Sequence, residues 1–201
     1  MIHADRTFDI IIVGGGVMGS SIAYNLANDG FNGRIAVFEK DPTYEFSSTT
    51  LSAGGIRLQF STEVNIRLSQ YGVNFYEKFD EVMAVNGEGA HAEFRQPGYL
   101  FLANEKNWPL IKNHYQFQKS LGVEVELLSV EETLKIIPHL DPKGLVGASF
   151  GPRDGYLDPH GTLQGYIKKA KSLGVNYVYD EVTAILKDGP QVTGVTTRKG
   201  E

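Results

Sequence analysis

Apolar and polar positions along the first forty residues follow three successive patterns. Phe8–Val13 is a short, mainly apolar run, which is typical of a buried strand. A glycine-rich loop follows over 14–19, and the residues from there to about Asn28 are predicted to form a helix. A second apolar run over 34–38 predicts a second strand. Strand, helix and strand together form one βαβ unit suited to a parallel sheet.

The rest of the chain alternates helical and strand patterns. Apolar residues recur every three or four positions from Ser61 to about Phe79, which predicts a helix. Further helices are predicted over 105–121, after the capping box Ser129–Glu132, and from the N-cap pair Asp158–Pro159 to Gly174. Strands are predicted over 94–102, 123–128, 145–150 and 175–179, and a hairpin is predicted over 182–197.

These patterns predict an α/β protein with two domains. Segments 1–80 and 151–201 contain the βα units, and they predict a Rossmann-like domain with a parallel sheet. Segment 81–150 mixes strands and helices differently, which predicts an inserted α+β domain. We expect the hairpin at 182–197 to lie against the Rossmann-like domain.

Composition narrows the chemistry without identifying it. The chain has 201 residues, a formal net charge of −5 and no cysteine. Disulfides, thiolate catalysis and cysteine-ligated metal sites are therefore excluded, and no histidine pair has zinc-site spacing with a third ligand. The negative charge gives no general attraction to nucleic acid. Without a signal peptide or a membrane-spanning run, we expect a soluble, cytoplasmic protein with no bound metal.

The glycine loop is the clearest indication of a ligand. Gly14, Gly16 and Gly19 fit the pattern G-x-G-x-x-G, which allows a tight turn, close approach of a pyrophosphate and close helix packing. The helix N-terminus presents N–H groups and partial positive charge to the phosphates. Glu39 follows the second strand, where an acid accepts hydrogen bonds from a ribose. The pattern predicts dinucleotide binding rather than a ligand-free glycine turn, and it does not separate NAD from FAD.

The segment that follows Glu39 differs in composition from the strands around it. Residues 40–55 contain few bulky apolar side chains and many serines, threonines and glycines. Such a segment buries little, but it offers hydroxyl and N–H groups. Its place directly after the nucleotide pattern favours a ligand-lining loop over a flexible linker.

Four separated motifs resemble one known family. The stretches 11–19, 37–40, 48–57 and 154–159 occur in the same order in the D-amino-acid-oxidase-type FAD-dependent oxidoreductases. This family includes glycine oxidase, sarcosine oxidases and dimethylglycine dehydrogenase. Residues 54–79 are most similar to the sarcosine-oxidase beta-subunit branch. The resemblance covers nearly the whole chain.

The resemblance implies FAD as the dinucleotide. Some relatives link the flavin to a histidine in the loop over 47–53, and this loop contains no histidine, so we expect non-covalent FAD. Val182 matches a residue whose backbone meets the adenine. The residues implied to bind the cofactor are Gly14, Gly16, Val17, Met18, Gly19, Glu39, Lys40, Ser48, Thr49, Ser52, Gly54, Gly55 and Val182.

Arg57 is the candidate substrate-binding residue. In sarcosine-oxidase-like relatives the matching arginine faces the substrate carboxylate, and a guanidinium group offers that anion a planar, permanently charged fork. The alternatives are a surface arginine, a phosphate-facing arginine or a structural salt bridge.

The resemblance implies oxidation of the C–N bond of an amino acid or N-methyl amino acid, with hydride transfer to the flavin. A non-catalytic flavin-fold assembly protein and a 2-hydroxy acid or glycerol phosphate oxidoreductase of the same fold are the alternatives. Relatives are about twice as long, so the chain is expected to be an N-terminal portion that is incomplete at the C-terminus. We expect it to bind FAD weakly alone and to associate with itself or a partner subunit.

Overall fold

A computed structural model of the protein describes residues 7–200. These residues form two compact units. In chain order, the elements are β1 (Ile10–Val13), α1 (Val17–Asn28), β2 (Ile35–Glu39), β3 (Gly55–Ile56), α2 (Glu63–Tyr76), α3 (Phe79–Val82), β4 (Tyr99–Ala103), α4 (Trp108–Ser120), β5 (Glu126–Leu128), α5 (Val130–Ile136), β6 (Gly147–Gly151), β7 (Gly155–Tyr156), α6 (Pro159–Ser172), β8 (Asn176–Tyr179), β9 (Val182–Asp188) and β10 (Gln191–Thr197).

The first unit contains a parallel sheet with the strand order β1-β2-β8. The central strand β2 is buried from Ile35 to Phe38, as expected for a parallel strand that is covered on both faces. Helix α1 packs on α6, where the rings of Tyr24 and Tyr166 lie 5.9 Å apart. The predicted βαβ unit is confirmed. The glycine loop connects the carboxyl end of β1 to the N-terminus of α1, so it lies at the carboxyl end of the parallel sheet.

The antiparallel hairpin of β9 and β10 also belongs to the first unit. It turns at Gly189, whose φ of 58° lies in the region that favours glycine. The predicted hairpin is therefore confirmed, with both strands longer than the apolar pattern alone indicates.

The second unit is built on an antiparallel sheet with the strand order β4-β6-β5 and a two-stranded pair of β3 with β7. Helix α2 buries Ile66 and Val73, seven residues apart on one face, against Leu58, Val123 and Val125. Helix α5 begins with the predicted capping box, in which the Glu132 N–H donates to Ser129 Oγ at 3.2 Å. The short elements α3, β3 and β7 are absent from the sequence predictions.

The two units differ in their bounds from the predicted domains. The first unit comprises residues up to Ala53, Phe79–Glu93 and the residues from Asp158 onward, and the second comprises Gly54–Lys78 and Phe94–Leu157. Helix α2 thus packs in the second unit, because an amphipathic pattern does not indicate which core its apolar face joins. The assignment of one unit to the cofactor and the other to the substrate stays a prediction.

The longest helices within residues 7–200, α2 and α6, each have 14 residues. A helix that spans a bilayer needs about 20 residues that are mostly apolar. No helix in this described range reaches that length with the required apolar composition.

Candidate functional site

The glycine loop of the first unit connects β1 to α1 through a sharp turn. Gly14 has a φ of +100°, a conformation that side chains rarely adopt. A Cβ atom on Gly19 would overlap the carbonyl oxygen of Gly14, which is backbone and has little freedom to move. Gly14 therefore permits the turn, and Gly19 permits close packing of α1 on the loop, as the sequence predicts.

Gly16 is the N-cap of α1, and it has open space in front of it. A Cβ atom built there would find only one neighbour within 4 Å, Thr49 Oγ1 at 3.5 Å. This space lies at the N-terminus of a 12-residue helix, where N–H groups and the helix dipole favour an anion. The loop therefore fits a diphosphate, which needs close access to backbone and small residues.

Two side chains from later in the chain hydrogen-bond to the loop. The Val17 N–H donates to Thr49 Oγ1 at 3.1 Å, and the Gly15 N–H donates to Glu39 Oε2 at 2.7 Å. Thr49 belongs to the serine- and threonine-rich segment, so part of that segment lies at the loop. Glu39 Oε1 also accepts from the Asp41 N–H at 2.9 Å, and each carboxylate oxygen has a second lone pair that a ribose hydroxyl could use.

The structure thus brings together six of the predicted cofactor residues in the first unit: Gly14, Gly16, Val17, Gly19, Glu39 and Thr49. Met18 lies on the first turn of α1 and is 73% exposed. Three other predicted residues are also exposed: Lys40, Ser48 and Ser52. Val182 is the first residue of β9. Gly54 and Gly55 belong to the second unit, where the Gly54 carbonyl accepts from the Leu157 N–H. The roles of these residues stay predictions.

Three tyrosines of the first unit have no site role predicted from the sequence. Tyr44, Tyr177 and Tyr179 pack with Leu163 and Ile167. A Cβ atom on Gly15 would lie 2.9 Å from the Tyr44 hydroxyl oxygen and 3.1 Å from Glu39 Cβ, so the close approach of both side chains favours glycine at this middle position. Burial raises the pKa of Tyr44 and raises that of Tyr177 to about 12, so both phenols stay protonated at neutral pH.

In the second unit, Arg57 directly follows β3 and is half-buried. Its guanidinium carbon lies 4.5 Å from the centroid of the Phe60 ring and 5.5 Å from that of Phe101. Arg57 lines a pocket of about 550 Å³, which is large enough for a small organic ligand. The nine lining residues are Gly55, Ile56, Arg57, Phe60, Leu68, Ser69, Gly72, Tyr76 and Tyr99.

Arg57 has two aromatic neighbours and forms no salt bridge among residues 7–200. Among residues 7–200, no Asp or Glu forms an ion pair with its guanidinium group. The structural salt bridge considered from the sequence is therefore not observed in this range. A half-buried guanidinium group with this environment can accept an external anion without first breaking an ion pair.

A buried carboxylate holds the chain on which Arg57 lies. Asp154 is fully buried; its Oδ1 accepts from the Leu58 N–H at 2.6 Å, and its Oδ2 accepts from Gln59 Nε2 at 3.0 Å. Gln59 also accepts a hydrogen bond from the Ser149 hydroxyl and donates to the Tyr99 carbonyl at 3.0 Å. Burial raises the pKa of Asp154, and the Gln59 hydrogen bond acts in the opposite direction.

Comparison with known proteins identifies the family. Residues 9–201 match the family described as FAD dependent oxidoreductase. The chain belongs to this family. The family, the mixed α/β fold and the choice of FAD over NAD, all predicted from the sequence, are thereby confirmed, and non-covalent FAD is typical of the family.

One curated relative of this FAD-dependent oxidoreductase chain is FAD-dependent oxidoreductase domain-containing protein 1 from Xenopus laevis. It is 38% identical over 198 residues, which cover 92% of the chain and 40% of that protein. The solved L-proline dehydrogenase from P. horikoshii is 32% identical with a TM-score of 0.85, covering 97% of the chain and 50% of that structure.

A glycine oxidase from Geobacillus kaustophilus is 27% identical with a TM-score of 0.82. The match covers 96% of the chain and 52% of that structure. The chain therefore spans about two fifths of the curated relative and about half of each solved structure.

Proposed function

We propose that the protein containing this chain oxidises the C–N bond of an amino acid or N-methyl amino acid. Membership of the FAD-dependent oxidoreductase family supports redox chemistry, and the L-proline dehydrogenase and glycine oxidase relatives act on amino acids. The observation that carries the proposal is Arg57, a half-buried guanidinium group that forms no salt bridge within residues 7–200 and lies at the wall of a pocket of about 550 Å³.

In this proposal Arg57 binds the substrate carboxylate through two parallel N–H···O hydrogen bonds. Phe60 and Phe101 keep the guanidinium group in place by contact with their ring faces, and they reduce its access to water. Asp154 and Gln59 fix the backbone on either side of the site, so that the substrate is oriented by a preorganised group.

The first unit would hold the cofactor. The N-terminus of α1 and Thr49 would bind the diphosphate, and Glu39 would bind the ribose. FAD, when bound, supplies the redox chemistry by accepting a hydride from the carbon attached to nitrogen. Met18, Lys40, Ser48, Ser52, Gly54, Gly55 and Val182 are proposed to complete the contacts, as the family resemblance implies.

Replacement of Arg57 by methionine tests the proposal. Loss of a charge-assisted pair costs about 2–3 kcal/mol, so KM for an amino-acid substrate should rise about 30- to 150-fold. Arg67→Met is the matched control, because Arg67 is exposed on α2 and its ion pair within the described part of the chain is with the neighbouring Glu63. An unchanged KM in the Arg57 variant, or an equal rise in both variants, would remove Arg57 from the substrate site.

Anaerobic reduction of the flavin separates the remaining alternatives. Sarcosine, glycine, D-alanine, L-proline and a 2-hydroxy acid such as lactate are added in turn to the FAD-loaded protein. Bleaching by an amino acid supports the proposal, and bleaching by lactate alone supports the hydroxy acid oxidoreductase, whose carboxylate Arg57 would suit equally well. No bleaching, together with a stable partner on pull-down, supports the assembly protein. The cytoplasmic location and a partner subunit stay predictions.

A further inference from the structure

One face of helix α2 forms a large part of the pocket wall. Leu68, Ser69, Gly72 and Tyr76 line the pocket, and they are spaced by one, four and eight positions along the helix. Residues at this spacing share a face of an α-helix. The adjacent face of the same helix buries Ile66 and Val73 in the core of the second unit.

Gly72 is an unexpected residue for this place in α2. Glycine is the least favourable residue in a helix interior apart from proline, because it loses the most backbone freedom on folding. A close neighbour often compensates, as in α6, where a Cβ atom on Gly165 would lie 2.7 Å from Ala90 Cβ and 2.8 Å from Phe79. A Cβ atom on Gly72 would meet only the Tyr76 ring, at 4.0 Å. Packing among residues 7–200 therefore explains Gly165 but not Gly72.

The space that a side chain at position 72 would occupy is part of the pocket. Gly72 and Arg57 both line it, so the pocket combines a carboxylate-binding group with a wall from which a side chain is missing. The lining is otherwise mostly aromatic or aliphatic, with Phe60, Tyr76 and Tyr99 among its members. Such walls suit an apolar group of the ligand.

We propose that Gly72 is a specificity-determining residue, which admits carboxylate ligands that carry a bulky apolar group. The inference rests on the proposed function, because it takes Arg57 as the carboxylate anchor. Arg57 is the single charged residue among the nine that line the pocket. A charged group on the ligand's side chain would lose its water without gaining a partner among these residues, so acidic and basic amino acids are disfavoured.

The test is binding of two unreactive carboxylates to the FAD-loaded protein, measured by calorimetry. Acetate is the small probe and benzoate is the bulky probe. Gly72→Leu should weaken benzoate binding at least tenfold and acetate binding less than twofold. Gly72→Ala should show the same preference to a smaller extent. Asn65→Ala, at an exposed position of α2 outside the pocket, should change neither affinity.

Thermal unfolding of the same variants separates the pocket role from a structural role. Gly72→Ala should raise the melting temperature, because alanine favours the helix, while it still weakens benzoate binding. If the Gly72 variants lose affinity for acetate and benzoate equally, or lose affinity for neither, the proposed role of Gly72 is rejected while the Arg57 pocket is not. If Arg57→Met leaves both affinities of the wild type unchanged, or if the wild type binds neither probe, the carboxylate pocket itself is rejected.

Discussion

The glycine loop of the first unit and the Arg57 pocket of the second are built in different ways. The loop consists of backbone from one short stretch, where Gly14 and Gly19 are required by a turn and by a close approach. The pocket is lined mostly by side chains, from residues within 55–60 and 68–76 and from Tyr99. A single Cβ atom added at Gly19 should therefore disrupt the loop, whereas changes in the pocket should alter its selectivity and leave it folded.

The largest expected effect is that of Gly19→Ala. The added Cβ atom would overlap the Gly14 carbonyl oxygen, so α1 must move away from the loop. We expect a loss of about 3 kcal/mol or more in the free energy of unfolding, measured by urea denaturation, and loss of FAD. Gly16→Ala is the matched control, because the space there is open and only Thr49 Oγ1 is near.

Gly16→Ala should keep the stability within about 1 kcal/mol of the wild type and still weaken FAD binding. A stable Gly19→Ala protein that retains FAD would contradict the contrast between loop and pocket, since the loop would then accept a Cβ atom that overlaps the Gly14 carbonyl oxygen.

The second-largest expected effect on stability is that of Asp154→Ala, which removes the acceptor for the Leu58 N–H and for Gln59 Nε2. A buried donor without a partner costs about 1–3 kcal/mol, and Gln59 Nε2 keeps its bond to the Tyr99 carbonyl while the Leu58 N–H loses its acceptor, so we expect a loss of about 2–3 kcal/mol in unfolding free energy. Acetate binding at Arg57 should weaken, because the chain that carries Arg57 is no longer fixed. ADP binding, which probes the first unit, should be unaffected; a matching loss of ADP binding would contradict separate sites.

The pH dependence of the Asp154 site has a definite sign. Burial raises the pKa of Asp154 above the ordinary value of 3.8, so the folded state favours the protonated carboxyl. Its contribution to stability is therefore complete below the unfolded pKa and decreases as pH rises through the folded pKa. The stability of the wild type relative to Asp154→Asn should be greatest in acid and should fall toward neutral pH; a rise toward neutral pH would contradict the burial argument.

The smallest expected effect is that of Ser129→Ala, which lies in the second unit but outside the pocket. It breaks the capping box of α5, which should cost about 1 kcal/mol in unfolding free energy. Hydrogen bonds from the Ser129 backbone and side chain hold the pKa of Glu132 below its usual range, and NMR titration should show that pKa rise in the variant. Altered acetate or ADP binding would mean that general destabilisation affects both sites.

The parts of the fold that the sequence predicts correctly depend on neighbours in the chain. The glycine loop, the N-cap at Asp158, which accepts from the His160 N–H, and the hairpin at Gly189 each lie within a few residues. The sequence of each short segment is therefore sufficient to predict its turn or cap.

The missed features join residues that are far apart. Asp154 accepts from the Leu58 N–H across 96 positions, and Tyr44 lies beside Gly15 because of the fold of the first unit. The pairing of β3 with β7 involves two residues of each strand, which is too short for a periodic pattern. The alternatives for Arg57 likewise stay open in the sequence, since its aromatic neighbour Phe101 is distant in the chain.

The central claim is that the opening at the N-terminus of α1 binds the diphosphate bridge of FAD. The most direct measurement is calorimetric binding of FAD, riboflavin and ADP to the flavin-free protein, with ADP also used as a competitor. The account predicts that FAD binds far more tightly than riboflavin, that ADP competes with FAD, and that Gly16→Ala weakens ADP binding. Riboflavin binding as tight as that of FAD, with no competition from ADP, would contradict it.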